Sequence, residues 1–119
     1  MDEKRLRGLM GLCVRARQAV FGEDGCLKSV RNGSCGLLLL DRGASRATRE
    51  KYRGACAHAD VPLRVLPEDL LHAATGRPGV AMAVQKGGFA RQMLMLLPGE
   101  DQDNQPRNAD TISGGASVE

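Results

Sequence analysis

Two periods alternate along the first 98 positions, one helical and one of strand length, and their alternation predicts the architecture. Leu6, Leu9, Met10, Cys13 and Val14 fall at helical spacing, with Lys4, Arg5, Arg7, Arg15 and Arg17 mostly off that stripe. They predict a first amphipathic helix. A short apolar step, Ala19-Val20-Phe21, leads into Gly22-Glu23-Asp24, where acids suit the positive end of a helix dipole, and Asn32-Gly33 supplies a stop. A second helix is therefore expected from about Gly22 to about Arg31. Gly36-Leu37-Leu38-Leu39-Leu40 is a continuous apolar run ending at Asp41, and a run without alternation predicts a strand covered on both faces.

Ser45 is placed to cap a third helix, with Thr48, Tyr52, Ala55, Cys56 and Ala59 on one face and Arg46, Arg49 and Arg53 on another. Val61 to Leu66 reads as a strand that Pro62 confines to an edge or to a strand start. Pro67-Glu68-Asp69 reads as a helix opening, leading into Leu70 to Ala74 and stopped by Gly76. Val80 to Val84 is a further buried strand, and Phe89, Met93, Leu94 and Leu97 follow at helical spacing after Gly87-Gly88. Helices alternating with strands predict an α/β fold, a three-layer α/β/α sandwich. From Gly99 onward, Ile112 and Val118 are the only large aliphatics. That is too little apolar surface to offset ordering entropy. Residues 1–98 are thus expected to form one domain, and 99–119 a flexible acidic tail.

Composition narrows the class. With 119 residues, 42% hydrophobic, 26% charged and 3% aromatic, the chain fits one globular domain. Trp is absent, and Tyr 1 with Phe 2 leaves no aromatic platform for base stacking. The net charge of +3 hides a segregation. Residues 1–98 carry 16 Lys and Arg against 9 Asp and Glu, net +7, and residues 99–119 carry Arg107 against five acids, net −4. Of the 17 cations, 13 are Arg, the better bidentate donor to phosphate and guanine. GC-rich coding would give the same bias, so charge suggests nucleic acid without establishing it.

Catalytic and metal chemistry find little support. Cys13, Cys26, Cys35 and Cys56 form no Cys-x-x-Cys pair, so no metal is expected. Cys13 and Cys56 fall on apolar stripes, where a reduced thiol acts as a small hydrophobe, and a cytoplasmic, thiol-reducing setting accounts for all four. His58 and His72 lack any partner motif for nucleophilic or metal chemistry. Glycine-rich phosphate fingerprints are missing too. Neither an enzyme nor a cofactor is expected. No run approaches the roughly 18 apolar residues of a membrane span, and the acidic start, Met1-Asp2-Glu3, is not followed by the apolar stretch of a secretory signal.

What the chain does offer is a set of polar and basic positions at loops and helix starts: Gly22 to Lys28, Arg31, Arg42 and Gly76-Arg77-Pro78-Gly79. Helix amino ends present unpaired N–H groups that suit an anion, and Gly22 admits a close backbone approach. Glu23 and Asp24 oppose a phosphate there and favour base donors such as guanine amino groups. A purely structural reading stays open, in which the two acids favour the helix start and Lys28 pairs with Asp24 four residues earlier.

In their order and spacing, these residues resemble the ribosomal protein L-seven-Ae family, the kink-turn RNA-binding superfamily that also holds L-thirty-e, and its short bacterial YlxQ-type branch. The likeness is carried by Leu9 to Ala16, Val20-Phe21-Gly22-Glu23-Asp24 with Leu27-Lys28 and Arg31-Asn32-Gly33, and Leu37 to Leu40 with Ala44-Ser45 and Thr48. Val61-Pro62, Leu71 to Ala74, Gly76-Arg77, Val80 to Val84 and Gly88-Phe89-Ala90 continue it, so that it covers about residues 4–97. The resemblance implies a mixed four-stranded sheet, no catalytic activity, and recognition of a kink-turn or related bent RNA.

Family members set the start of their second helix against sheared G·A pairs with a Gly-x-Asn-Glu-x-x-Lys segment, and cover an extruded base with an apolar loop before the last strand. Here the segment maps to Gly22, Asp24, Gly25 and Lys28, and the loop to Arg77, Pro78, Gly79 and Val80. Asp24 keeps an acceptor and loses the amide donor, and Gly25 removes a carboxylate. The Gly-Lys pair common before the apolar step is Arg17-Gln18, and the acidic position after the second strand is Gly43, preceded by Arg42. The expectation is therefore a monomeric RNA-binding protein associated with the ribosome, with altered kink-turn specificity. In it Lys28, Arg31, Arg42 and Arg77 contact backbone or guanine and Val80 packs under a base. The other reading is a protein-interaction module that kept the fold and lost specific RNA recognition.

Overall fold

The Leu-rich run sits at the middle of a four-stranded sheet. In the computed structural model, which describes residues 1–97, the elements are α1 (Glu3–Arg15), β1 (Ala19–Phe21), α2 (Glu23–Arg31), β2 (Cys35–Asp41), α3 (Arg46–Ala59), β3 (Leu63–Leu66), α4 (Leu70–Thr75), β4 (Ala81–Gln85) and α5 (Gly88–Leu96). The acidic tail expected over 99–119 lies outside the described residues. The strand order is β1-β4-β2-β3, with β2 and β3 parallel and the other pairings antiparallel. This is the mixed sheet that the resemblance implied.

Side chains alternate across β2, and each set meets its own helical layer. Leu37 and Leu39, with Met82 and Val84 of β4, pack against Leu6, Met10 and Cys13 of α1, Leu70 and Leu71 of α4, and Ala90 and Met93 of α5. Leu38 and Leu40, with Ala81 and Ala83, pack against Cys26, Leu27 and Val30 of α2 and Tyr52 and Cys56 of α3. Both sheet faces are thus covered, which is why β2 carries no polar residue between Leu37 and Leu40. The three-layer sandwich holds.

Two local expectations are corrected. Ala19-Val20-Phe21 is not merely an apolar step but the edge strand β1, paired in register with Val84, Ala83 and Met82; three residues are too few for a periodic signal. Pro67-Glu68-Asp69 leads into a helix as expected, with Asp69 as its N-cap, but it is not the first helical turn. It forms a turn in which Leu70 N–H donates to the Pro67 carbonyl at 3.1 Å, and α4 starts only at Leu70. A tertiary bond accounts for the shift, since Asp69 N–H donates to the Asp41 carboxylate at 3.1 Å and Asp69 takes a left-handed φ of 69°.

The four cysteines are free and buried. Burial raises the Cys13 and Cys26 thiols to about 11 and Cys56 to about 12, and pushes Cys35 up as well. They stay protonated at neutral pH and act as apolar filling. Among the described residues no helix is long and apolar enough to cross a membrane.

Candidate nucleic-acid interface

The sheet register gathers three segments at one end. β4 begins beside the end of β1, where Phe21 faces Met82, and beside the end of β2, where Leu40 faces Ala81. Gly22 and the start of α2, the loop Arg42–Ser45, and the loop Arg77–Val80 therefore emerge together. Asp41 N–H donates to the Val80 carbonyl at 2.7 Å and ties the second of these to the third.

The start of α2 is left open. Gly22 is its N-cap residue, with φ 87° and ψ 147°, and it carries no side chain to cap the helix. Its carbonyl accepts the first helical bond, from Cys26 N–H at 2.9 Å, so the N–H groups of Glu23, Asp24 and Gly25 have no intrahelical acceptor. Such donors, at the positive end of the dipole, suit an anion or a carbonyl acceptor.

Asp24 and Lys28 are exposed on one face of α2 and, with Leu27, Arg31 and Asn32, line a shallow depression. They form no ion pair with each other among the described residues. The acid that is engaged is Glu23, whose Oε2 lies 2.8 Å from Lys51 Nζ on α3. Gly25 faces the sheet edge, and a Cβ there would come 2.9 Å from Val20 Cγ1. A side chain at this position would therefore require Val20 to shift, so the glycine eases packing as well as removing a carboxylate.

Opposite α2, the Arg77 guanidinium stacks on the Phe21 ring, 4.5 Å from its centroid. Arg77 N–H donates to Thr75 Oγ1 at 3.1 Å, and the Arg77 carbonyl lies 3.2 Å from His72 Nδ1. Pro78, Gly79 and Val80 are exposed, with Val80 37% accessible. An apolar side chain is thereby presented to solvent beside the basic group.

Two expected contacts stand apart. Arg31 shares the α2 face with Lys28 but lies eight residues beyond Glu23, about 12 Å along the helix axis. Arg42 projects to the other flank, lining a depression with Met1, Arg64, Val65, Pro67, Leu96 and Leu97. Gly22, Asp24, Lys28, Arg77 and Val80 thus make a common end, with Arg31 and Arg42 at its margins.

Sequence reasoning missed three contributors, Phe21, Asp41 and Lys51. The Asp41 carboxylate is 7% exposed and accepts from Gly43 N–H at 2.6 Å and from Asp69 N–H at 3.1 Å, pinning both neighbouring turns. Its position as the first polar residue after an apolar strand was the only signal. The Phe21–Arg77 and Glu23–Lys51 contacts join residues far apart in sequence, which no local spacing reveals. Among the described residues no group of three or more His, Cys, Asp or Glu could hold a metal ion.

No family model matches the chain. Two curated proteins are similar to it. The RNA-binding protein YlxQ of Bacillus subtilis (strain 168) is 37% identical over 91 residues, covering 75% of this chain and 91% of that protein. The RNA-binding protein YlxQ of Enterococcus faecium is 23% identical over 99 residues, covering 82% and 96%. Among solved structures, a Bacillus halodurans C protein of unknown function superposes with a TM-score of 0.73 at 32% identity, covering 77% of this chain and 95% of that one. The Giardia lamblia 15.5kD RNA binding protein superposes with a TM-score of 0.67 at 16% identity, covering 82% and 88%, a likeness of fold.

Proposed function

Because the chain belongs to the family of the RNA-binding protein YlxQ, we propose that it is a non-catalytic RNA-binding protein. Its ligand in this reading is a kink-turn or a similarly bent RNA, ribosomal RNA included, bound by a cytoplasmic monomer associated with the ribosome. One observation carries the reading: the sheet register sets the uncapped start of α2 beside the Arg77–Val80 loop, with Arg77 stacked on Phe21 between them.

Each group then has a chemical task. The open N–H groups of α2 take a phosphate oxygen or guanine O6, Asp24 accepts from a guanine amino group, and Lys28 neutralises the backbone or donates to a base edge. Gly22 lets the RNA approach the main chain. Val80 covers an unstacked base, and Arg77 supplies charge at its rim. Arg31 and Arg42 extend the positive field along the two flanks. A monomer suffices, because one copy already covers both sheet faces.

Lys28 is fully outside the core, so Lys28→Ala tests the site without disturbing the fold. Titrated with a kink-turn RNA, the variant is expected to bind about tenfold more weakly, ~1.4 kcal/mol, at an unchanged melting temperature. Equal affinity of variant and parent would remove α2 from the interface.

A further inference from the structure

The first residue of α2 carries a carboxylate whose partner lies on another helix. Glu23 Oε2 is held by Lys51 Nζ, 2.8 Å away on α3. Both side chains are about half exposed, at 45% and 50%, and pairs of that kind contribute little to stability. Their placement matters more. Left free, a carboxylate at this position is drawn by the dipole towards the same uncapped N–H groups, and it repels any phosphate that approaches them.

We propose that Lys51 is a positioning residue for the RNA site: it holds the Glu23 carboxylate towards α3 and so keeps the N–H groups at the start of α2 open to an RNA acceptor. The inference rests on the reading that this helix start meets RNA. One feature of the chain agrees with it: Gly22 provides no side chain that could cap those donors.

A double-mutant cycle separates this role from direct contact. Wild type, Lys51→Ala, Glu23→Gln and the double variant are titrated with a kink-turn RNA at low salt, with melting temperatures recorded to confirm that all four fold. Lys51→Ala is expected to weaken binding about fivefold when Glu23 is present, and to have little effect when residue 23 is Gln. An equal loss in both backgrounds, together with a salt slope reduced by about 1, would mean that Lys51 touches phosphate itself, and would overturn the proposal. No loss in either background would overturn it too. The RNA reading is judged separately, by whether wild type binds and Lys28→Ala weakens it; if wild type binds no RNA, both fall.

Discussion

Asp41→Ala is expected to lower the unfolding free energy by about 2 kcal/mol, because it removes the acceptor of two hydrogen bonds that close turns distant in sequence. The carboxylate is buried at the end of β2 and receives Gly43 N–H at 2.6 Å and Asp69 N–H at 3.1 Å. Bonds to a charged acceptor are the stronger kind. Both donors belong to exposed turns, where water partly replaces the lost partner, and this holds the figure below the sum for two fully buried bonds. For a domain of this size the melting temperature should fall by roughly 8–16 °C. RNA affinity should fall as well, since loosening the turn after β2 loosens the segment whose Asp41 N–H holds the Val80 carbonyl at 2.7 Å. Asp41→Asn retains one acceptor and should lose about half as much. A melting temperature unchanged in Asp41→Ala would show that these turns hold without the carboxylate.

Gly22→Ala should be the most damaging small substitution at the interface. At φ 87° and ψ 147° the residue occupies a region that side chains rarely enter, at a cost of about 1–3 kcal/mol. A Cβ there meets nothing within 4 Å, so the penalty is one of backbone conformation and repacking cannot relieve it. The chain either bears the strain or turns the start of α2 away from its present direction, and in the second case the open N–H groups no longer face the Arg77–Val80 loop. Affinity for RNA is expected to drop tenfold or more, beyond what stability alone explains. Gly8→Ala is the matching control: its Cβ also meets nothing within 4 Å, it lies within α1, and it should stabilise by up to about 1 kcal/mol. Gly22→Ala matching that control in stability and affinity would contradict the assigned role.

Much of the architecture was legible because each long element repeats its signal. Leu6, Met10 and Cys13 mark one helix face three times over, and four successive leucines leave no exposed face for β2. Short elements were harder. Ala19–Phe21 carries too few residues to show a period, and only its pairing with β4 makes it a strand. The turn at Pro67–Asp69 holds helix-start residues that a bond to Asp41 diverts.

The interface was legible as a list of residues and not as a surface. Gly22, Asp24 and Lys28 could be placed by their spacing on one helix, and Arg77 and Val80 by the loop before β4. That the two groups meet follows from strand order, which the sequence pattern does not specify. Arg17 carries a related lesson. It stands where the resemblance expects a glycine and takes a φ of 59°, so the backbone conformation that glycine favours persists without glycine. Gly25 is the converse, a departure that reads as lost chemistry and also relieves a contact with Val20.

The most direct test of the central claim, that the start of α2 and the Arg77–Val80 loop together recognise a bent RNA, is a binding titration at two salt concentrations. One RNA is a standard kink-turn, and the other differs only in that its tandem G·A pairs are changed to Watson–Crick pairs. The account predicts a preference for the kink-turn of about tenfold, ~1.4 kcal/mol. It also predicts a log–log salt slope of about −3 to −4, as for about four neutralised phosphates. Equal affinity for the two RNAs, or a slope near zero, would contradict it.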